Sequence, residues 1–340
     1  MSAQKIQHKS TTKPTLKTIS QISGLAVATV SRALNDAPDL RQETKDLVRR
    51  IANEIGYVPN RAGLGLRTGK TNVISLIIST ENDMMHYTHQ LMSAVATRLR
   101  GTPYHLTITP FFPDQNKLDP VRYVVETGSA DAIVLNRTEK NDPRVDYLIE
   151  KGFPFATHGR TFHTKQHAYY DFDNEVFARL MVRKMHERGC KKILLVAPPL
   201  EETYAQHMRN GALAAAEELG IEVMVESLVH CDEPSKNVYK GIKERFSLNP
   251  EIDGLFTPSP VATMSAIAAI EYMGRTVGKD IQIGSKEPFR YLKLFRKDII
   301  VLYEDLHLAG EFLTEAVLRQ LRDPSLSPMQ KVVVPDYSEF

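Results

Sequence analysis

Residues 15–34 read TLKTISQISGLAVATVSRAL. Leu16, Ile19 and Ile22 recur every third position, the spacing of one buried face on a short helix. Gly24-Leu25-Ala26 forms a tight turn, and Val27, Val30 and Leu34 continue as the inward face of a second helix. Its other face carries Ala28, Thr29, Ser31 and Arg32, which are small, polar or cationic. A short helix with such a face fits the DNA major groove, so the pair reads as a helix-turn-helix. The competing reading of these residues alone is an ordinary helical hairpin.

Working outward, the local charge agrees with DNA. Residues 1–70 hold twelve Lys or Arg and five Asp or Glu, a charge of +7. The whole chain is only +2, so residues 71–340 carry about −5. A basic head on a mildly acidic body is expected when only the head meets phosphates. A third helix follows residue 41, with Leu47, Ile51 and Ile55 on one side and Gly56 as its stop. Three short helices make a small core. The linker GYVPNRAGLGLRTG, residues 56–69, has two internal glycines that disfavour helix by roughly 1 kcal/mol each. It is expected to become helical only when two copies pack on DNA, with Leu66 wedged into the minor groove; a plain flexible tether is the alternative.

The stretches TLKTISQISGLAVATVSRALND and ETKDLVRRIANEIGYVPNRAGLGLR resemble the DNA-binding headpiece and hinge of the LacI/GalR family of bacterial transcriptional repressors, without a gap from Thr15 to Arg67. Within the family, NRAGLGLRTGKTNVISL, PYHL, DPVRYVVETGSADAIV and PFATHGRT resemble regulators of α-glucoside and related disaccharide genes. The resemblance implies base contacts from Val27 and Ala28, which can touch a thymine methyl but donate no side-chain hydrogen bond. It makes Arg32 the candidate for guanine readout and lets Lys17 approach bases. Thr15, Leu16 by its backbone, Thr29, Ser31, Asn35, Thr44, Tyr57 and Asn60 match phosphate-holding positions, which fix register rather than sequence. Arg61, Gly63 and Leu66 belong to the DNA-contacting hinge, and Gly63 stands where the family usually has Ala.

From Thr71 onward, apolar β-branched runs alternate with amphipathic segments. Strands are expected at 72–79, 104–109, 130–135, 154–158, 192–196, 254–257 and 281–284, with helices between them. Alternation of this kind predicts parallel α/β architecture, and about 270 residues of it predicts two lobes. The expected organisation is a disordered tail at 1–14, a helix-turn-helix domain at 15–59, a hinge at 60–70, and a two-lobed, periplasmic-binding-protein-like body at 71–340. The first lobe is expected at about 71–173 plus 303–327, and the second at about 174–302 plus 328–340.

In open α/β sheets, ligands bind outside the C-terminal ends of the strands. That rule selects His158, Arg160, Asn174, Tyr204, Ser259, Lys286, Glu287, Phe289 and Glu304 as candidates lining a cleft. Mixed polar and aromatic groups suit a sugar. The resemblance implies that Arg209 grips the effector and that Arg160 and Asp173 line the cleft. Two departures from the family stand out. Pro258-Ser259 replaces a common Asn-Asp pair, and Lys286-Glu287 replaces a common Asp. Lys286, Arg160 and Arg209 could surround a sugar phosphate; alternatively Lys286 pairs with Glu287 or Glu304 and the ligand is a neutral sugar.

His86/His89 and His163/His167 have ligand-like spacings but no accompanying cysteine, so no metal and no cofactor are expected. Cys190 and Cys231 are expected to be reduced thiols. No run of eighteen apolar residues predicts a membrane span, and no nucleophile-elbow, P-loop or paired-carboxylate setting predicts an enzyme. A periplasmic sugar-binding protein would need a signal peptide, and MSAQKIQHKSTTKP is polar. The expected function is that of a cytoplasmic, homodimeric repressor of carbohydrate genes. Its partners are operator DNA and a small sugar effector, with the sign of the effector left open.

Overall fold

The computed structural model describes residues 13–58, 69–80, 85–112, 114–163 and 165–335, side chains at 85 and 86 excepted. The chain divides into two compact units, 1–71 and 72–340.

Among the described residues the first unit has three helices: α1 (Leu16–Ser23), α2 (Val27–Leu34) and α3 (Gln42–Glu54). Thr15 caps α1 reciprocally with Thr18, each side chain accepting the other residue's backbone N–H. Gly24 ends the helix at φ +71°, a left-handed backbone that glycine adopts without a Cβ penalty. The core is Ile19, Val30, Ala33, Val48, Ile51 and Ala52. Two inward assignments need correction: Ile22 is 55% and Val27 44% exposed. Residues three apart on an α-helix drift by about 60°, so Leu16, Ile19 and Ile22 spread around an eight-residue helix and only the middle one is covered.

The second unit holds two parallel sheets. The first has the order β11-β5-β4-β3-β1-β2, built from β1 (Val73–Ser79), β2 (His105–Phe111), β3 (Ala132–Leu135), β4 (Phe155–His158), β5 (Ala168–Phe172) and β11 (Gln330–Val333). Ile74 faces Leu106 of β2 on one side and Ala132 of β3 on the other. Helices α4 (Met85–Arg98), α5 (Asp119–Thr127), α6 (Pro143–Glu150) and α12 (Leu306–Arg322) cover its two faces, which is why its strands read as unbroken apolar runs.

The second sheet has the order β10-β9-β8-β6-β7, built from β6 (Lys192–Leu195), β7 (Glu222–Val225), β8 (Gly254–Thr257), β9 (Gln282–Glu287) and β10 (Ile300–Tyr303). Helices α7 (Asn174–Glu187) and α8 (Thr203–Leu219) pack on one face; α9 (Ser235–Leu248) and α10 (Pro260–Tyr272) pack on the other. A single turn, α11 (Leu292–Phe295), follows β9. Gly211 lets α8 press onto α7, since a Cβ there would lie 2.1 Å from the Glu175 carbonyl oxygen. The chain enters the second lobe between β5 and α7 and returns between β10 and α12.

Three expectations are corrected here. Residues 328–333 belong to the first lobe, because β11 pairs in parallel with β5. β9 runs through Glu287, so Lys286 and Glu287 sit on the strand itself and not beyond it. Tyr204, expected as a residue following a strand, lies instead in the first turn of α8, which begins at Thr203.

Candidate DNA-binding face and effector cleft

On the first unit, Lys17, Val27, Ala28 and Arg32 are exposed, while Thr29 and Ser31 are half-buried. Ala26 precedes α2 and offers no side-chain cap, so the first-turn N–H groups of this helix end without a side-chain acceptor from the cap residue. Arg32 forms an ion pair with Asp39 at the surface. Exposed pairs of this kind contribute about 0–1 kcal/mol, so exchanging Asp39 for another acceptor costs little. Asn35 is tied back to α2, its Nδ2 donating to the Ser31 carbonyl at 2.5 Å. Thr15 is exposed, Leu16, Thr44 and Tyr57 are half-buried, and the Tyr57 N–H donates to the Ala52 carbonyl at 2.8 Å. Asn60, Arg61, Gly63 and Leu66 lie outside the described residues.

In the second unit, the C-terminal ends of both sheets open onto a cavity of about 420 Å3. His158, Tyr204, Ser259, Lys286, Glu287, Phe289 and Glu304 all line it. Arg160, Asp173 and Arg209 do not. Arg160 stands behind the wall, paired with Asp171, which does line the cavity. Asp173 caps α7, accepting the Val176 N–H at 3.1 Å. Arg209 is exposed, because the buried face of α8 runs Ala205, Met208 and Ala212 and position 209 falls off it.

Lys286 is the centre of the cavity's inner end. Its Nζ lies 2.5 Å from Glu304 Oε2 and donates to Asn174 Oδ1 at 3.0 Å. The Tyr87 hydroxyl donates to Glu304 at 2.9 Å, and His158 Nε2 sits 3.5 Å from the same carboxylate. Burial alone would raise the Glu304 pKa, but Lys286 and His158 outweigh it and hold it at about 2. Phe172 presents its ring 4.8 Å from the Lys286 ammonium, with Tyr87 and Tyr204 within 6 Å. Glu287 accepts the Tyr291 and Leu292 N–H groups at 3.1 and 3.0 Å, and burial pushes its carboxyl pKa up. Ser259 caps α10, accepting the Ala262 N–H at 3.1 Å.

A residue the sequence reading passed over proves central. Arg137 lies two positions beyond β3 and lines the cavity, donating to Glu202 Oε1 at 2.6 Å and contacting Asp232 Oδ2 at 3.0 Å. The strand-end rule, applied to β3 as to the others, finds it. Asn136 beside it keeps its buried Oδ1 without a hydrogen-bond partner among the described residues, as does the Thr88 Oγ1, also on the lining. Both are acceptors suited to ligand hydroxyls.

The charges decide what such a cavity tolerates. Arg137, Lys286 and Arg296 are its cationic lining residues; Asp171, Asp232, Glu271, Glu287 and Glu304 are its anionic ones. Each cation is already paired with a carboxylate. Acid outnumbers base, so a second anionic group would enter against the local field.

No group of three His, Cys, Asp or Glu side chains is placed to hold a metal among the described residues. His163 pairs with Asp146 at 2.7 Å, and His167 lies between Thr161 and the Ala168 carbonyl. Both cysteines are buried free thiols, and burial raises the Cys190 pKa to about 12. No helix among the described residues is long and apolar enough to cross a membrane.

The profile of bacterial regulatory proteins of the lacI family matches residues 15–60. The profile of periplasmic binding proteins and the sugar binding domain of the LacI family matches residues 89–310. The chain belongs to the LacI family. Its relatives include the HTH-type transcriptional regulator RafR of Escherichia coli, 30% identical over 268 residues, covering 78% of this chain and 79% of RafR. The Lac repressor dimer bound to operator and the anti-inducer ONPF has the same fold, with a TM-score of 0.82, 18% identity and coverage of 96% and 97%. The CelR–cellobiose complex also shares it, at a TM-score of 0.69, 19% identity and coverage of 95% and 98%. As a LacI-family chain it combines a DNA-binding head with a body of the sugar-binding type, and its relatives are transcriptional regulators rather than enzymes.

Proposed function

We propose that this LacI-family protein is a homodimeric, cytoplasmic repressor of carbohydrate uptake and catabolism genes of the disaccharide type. A neutral sugar bound between the lobes releases it from its operator. The observation that carries the effector class is the cleft itself: aromatic faces, unpartnered acceptors at Asn136 and Thr88, and cations all engaged by carboxylates. The solved relatives with bound ligands include one carrying cellobiose. A sugar phosphate, the alternative that Lys286 raised, finds its ammonium already neutralised by Glu304.

On DNA, α2 of each protomer enters the major groove of one half-site, where Val27 and Ala28 face thymine methyls and Arg32 exchanges Asp39 for guanine. Lys17 approaches bases from α1; Thr15, Leu16 by its backbone, Thr29, Ser31, Asn35, Thr44, Tyr57 and Asn60 hold phosphates, and Leu66 is the minor-groove wedge. The dimer forms through the lobes, with α4 as the first-lobe surface. Lobe rotation that separates the hinges, with a coupling of about 1–3 kcal/mol, lowers operator affinity roughly 5- to 150-fold.

The test is a thermal-shift screen against mono- and disaccharides and their phosphates, followed by operator titration with each hit. A ligand at about 100 times its Kd adds about 2.7 kcal/mol of stability. Hits among neutral sugars that weaken operator binding support the reading. Hits confined to phosphorylated sugars reject the neutral-effector assignment, and hits that tighten operator binding reverse the sign.

A further inference from the structure

Arg137 is the only described lining residue of the cavity whose non-glycine backbone takes a positive φ, +55°. This left-handed conformation is strained for a side chain of its size and persists only where the surroundings fix it. The backbone is fixed within its own lobe, where the Arg144 guanidinium donates to the Asn136 and Arg137 carbonyls at 3.2 and 2.8 Å, and the side chain is held from the opposite lobe. Arg137 follows β3 of the first sheet, whereas Glu202 precedes α8 and Asp232 follows β7 of the second. The guanidinium lies 3.0 Å from Asp232 Oδ2 and donates to Glu202 Oε1 at 2.6 Å, and all three residues are more than nine-tenths buried. Beside them the backbones are joined as well. The Thr203 N–H donates to the Thr138 carbonyl at 2.8 Å, and Glu139 bridges Glu202 in antiparallel fashion. None of these links belongs to the two chain crossings at Asp173 and Glu304.

We infer that the Arg137–Glu202–Asp232 group is an interlobe latch, which holds the cleft closed before any effector arrives. Opening the lobes separates one guanidinium from two carboxylates that are buried together, and each must then be solvated or stranded. Arg137 is therefore a positioning residue. It sets how much of the population is open to receive a ligand, and a closed resting state lowers apparent affinity in proportion to the open fraction. The latch requires neither operator nor effector, so it stands or falls separately from the proposed function.

The experiment measures lobe separation in the full-length, ligand-free protein by distances between spin labels. Labels go on exposed positions, Tyr123→Cys on α5 of the first lobe and Leu248→Cys at the end of α9 of the second. The native thiols are both buried. With the latch intact, one short, narrow distance distribution is expected. Glu202→Gln and Asp232→Asn remove charge at constant shape and should lengthen and broaden it, and Arg137→Lys should fall between. Unchanged distributions in both carboxylate variants overturn the inference. Loss of a cooperative melt in Glu202→Gln also overturns it, because the group would then support the fold of a lobe rather than its closure.

Discussion

Replacing Lys286 with Met tests the reading of the inner cleft. The substitution removes the ammonium 2.5 Å from Glu304 and leaves a carboxylate that is 3% exposed with only His158 as a cationic neighbour. Stranding one member of a buried ion pair costs about 3–5 kcal/mol. At about 2–4 °C per kcal/mol, the melting temperature of the body falls by about 6–20 °C. The pH dependence has a definite sign. In the wild type the native Glu304 pKa is about 2, below the ordinary 4.5, so its stabilisation is full above pH 4.5 and is lost as pH falls toward 2. In Lys286→Met, only His158 still opposes burial, so the Glu304 pKa rises from its native value, the variant's native state takes up the proton at higher pH than the wild type's, and the deficit shrinks on acidification. The stability curves of the two proteins approach each other progressively as pH falls toward 2. Denaturant unfolding of both across pH 3–8, with the double variant Lys286→Met/Glu304→Gln, is the assay. The double variant keeps the partner of the Tyr87 hydroxyl, carries no stranded charge and should recover most of the loss. A single-variant loss under about 1 kcal/mol, or a double variant no better than the single, refutes the buried pair as the organiser of the site.

Three further outcomes are expected. Gly211→Ala places a Cβ 2.1 Å from the Glu175 carbonyl and should cost about 1–3 kcal/mol in thermal unfolding by forcing α7 from α8. Arg32→Ala should weaken operator binding by about 1–3 kcal/mol and relax preference at one base pair, read by titrating operator variants; a uniform loss across all variants would make Arg32 a phosphate contact. Leu66→Ala should weaken operator binding while leaving effector affinity unchanged, and an unaltered operator Kd rejects the wedge.

Much of this molecule is legible in its sequence because its strands are buried on both faces. Runs such as VISLII in β1 and AIVL in β3 have no polar alternation to blur them. Long-range partnership was less legible. β11 is QKVV, too short and polar to announce that it completes the first sheet beside β5. α12 spans 17 residues but begins two residues after Glu304, at the lobe crossing, so its N-terminus is not set off from the strand end by a loop. In the site, the strand-end rule found the residues whose backbones end strands, but side-chain direction escaped it. Arg160 and Asp173 turn away to Asp171 and to the α7 N-terminus. Arg209 lies five positions after Tyr204, the described residue of α8 that lines the cavity, and so about 140° around the helix from it, which a match by residue type cannot detect. Arg137 was missed for the opposite reason: a strand-end arginine acquires meaning only when two carboxylates distant in sequence close on it.

Among the described residues, Lys286 reaches both places where the polypeptide passes between lobes. Asn174 stands one residue beyond the outward passage, and Glu304 lies on the return. One side chain is thus both a wall of the cavity and a rivet through two leaves of the hinge. For descent this imposes a constraint on drift: position 286 cannot change its chemistry alone without loosening the pivot, so 174, 286 and 304 should be inherited as a set. A lineage that acquires a new ligand has an easier route through the aromatic and strand-end positions around them, where specificity can change while the axis of motion is kept.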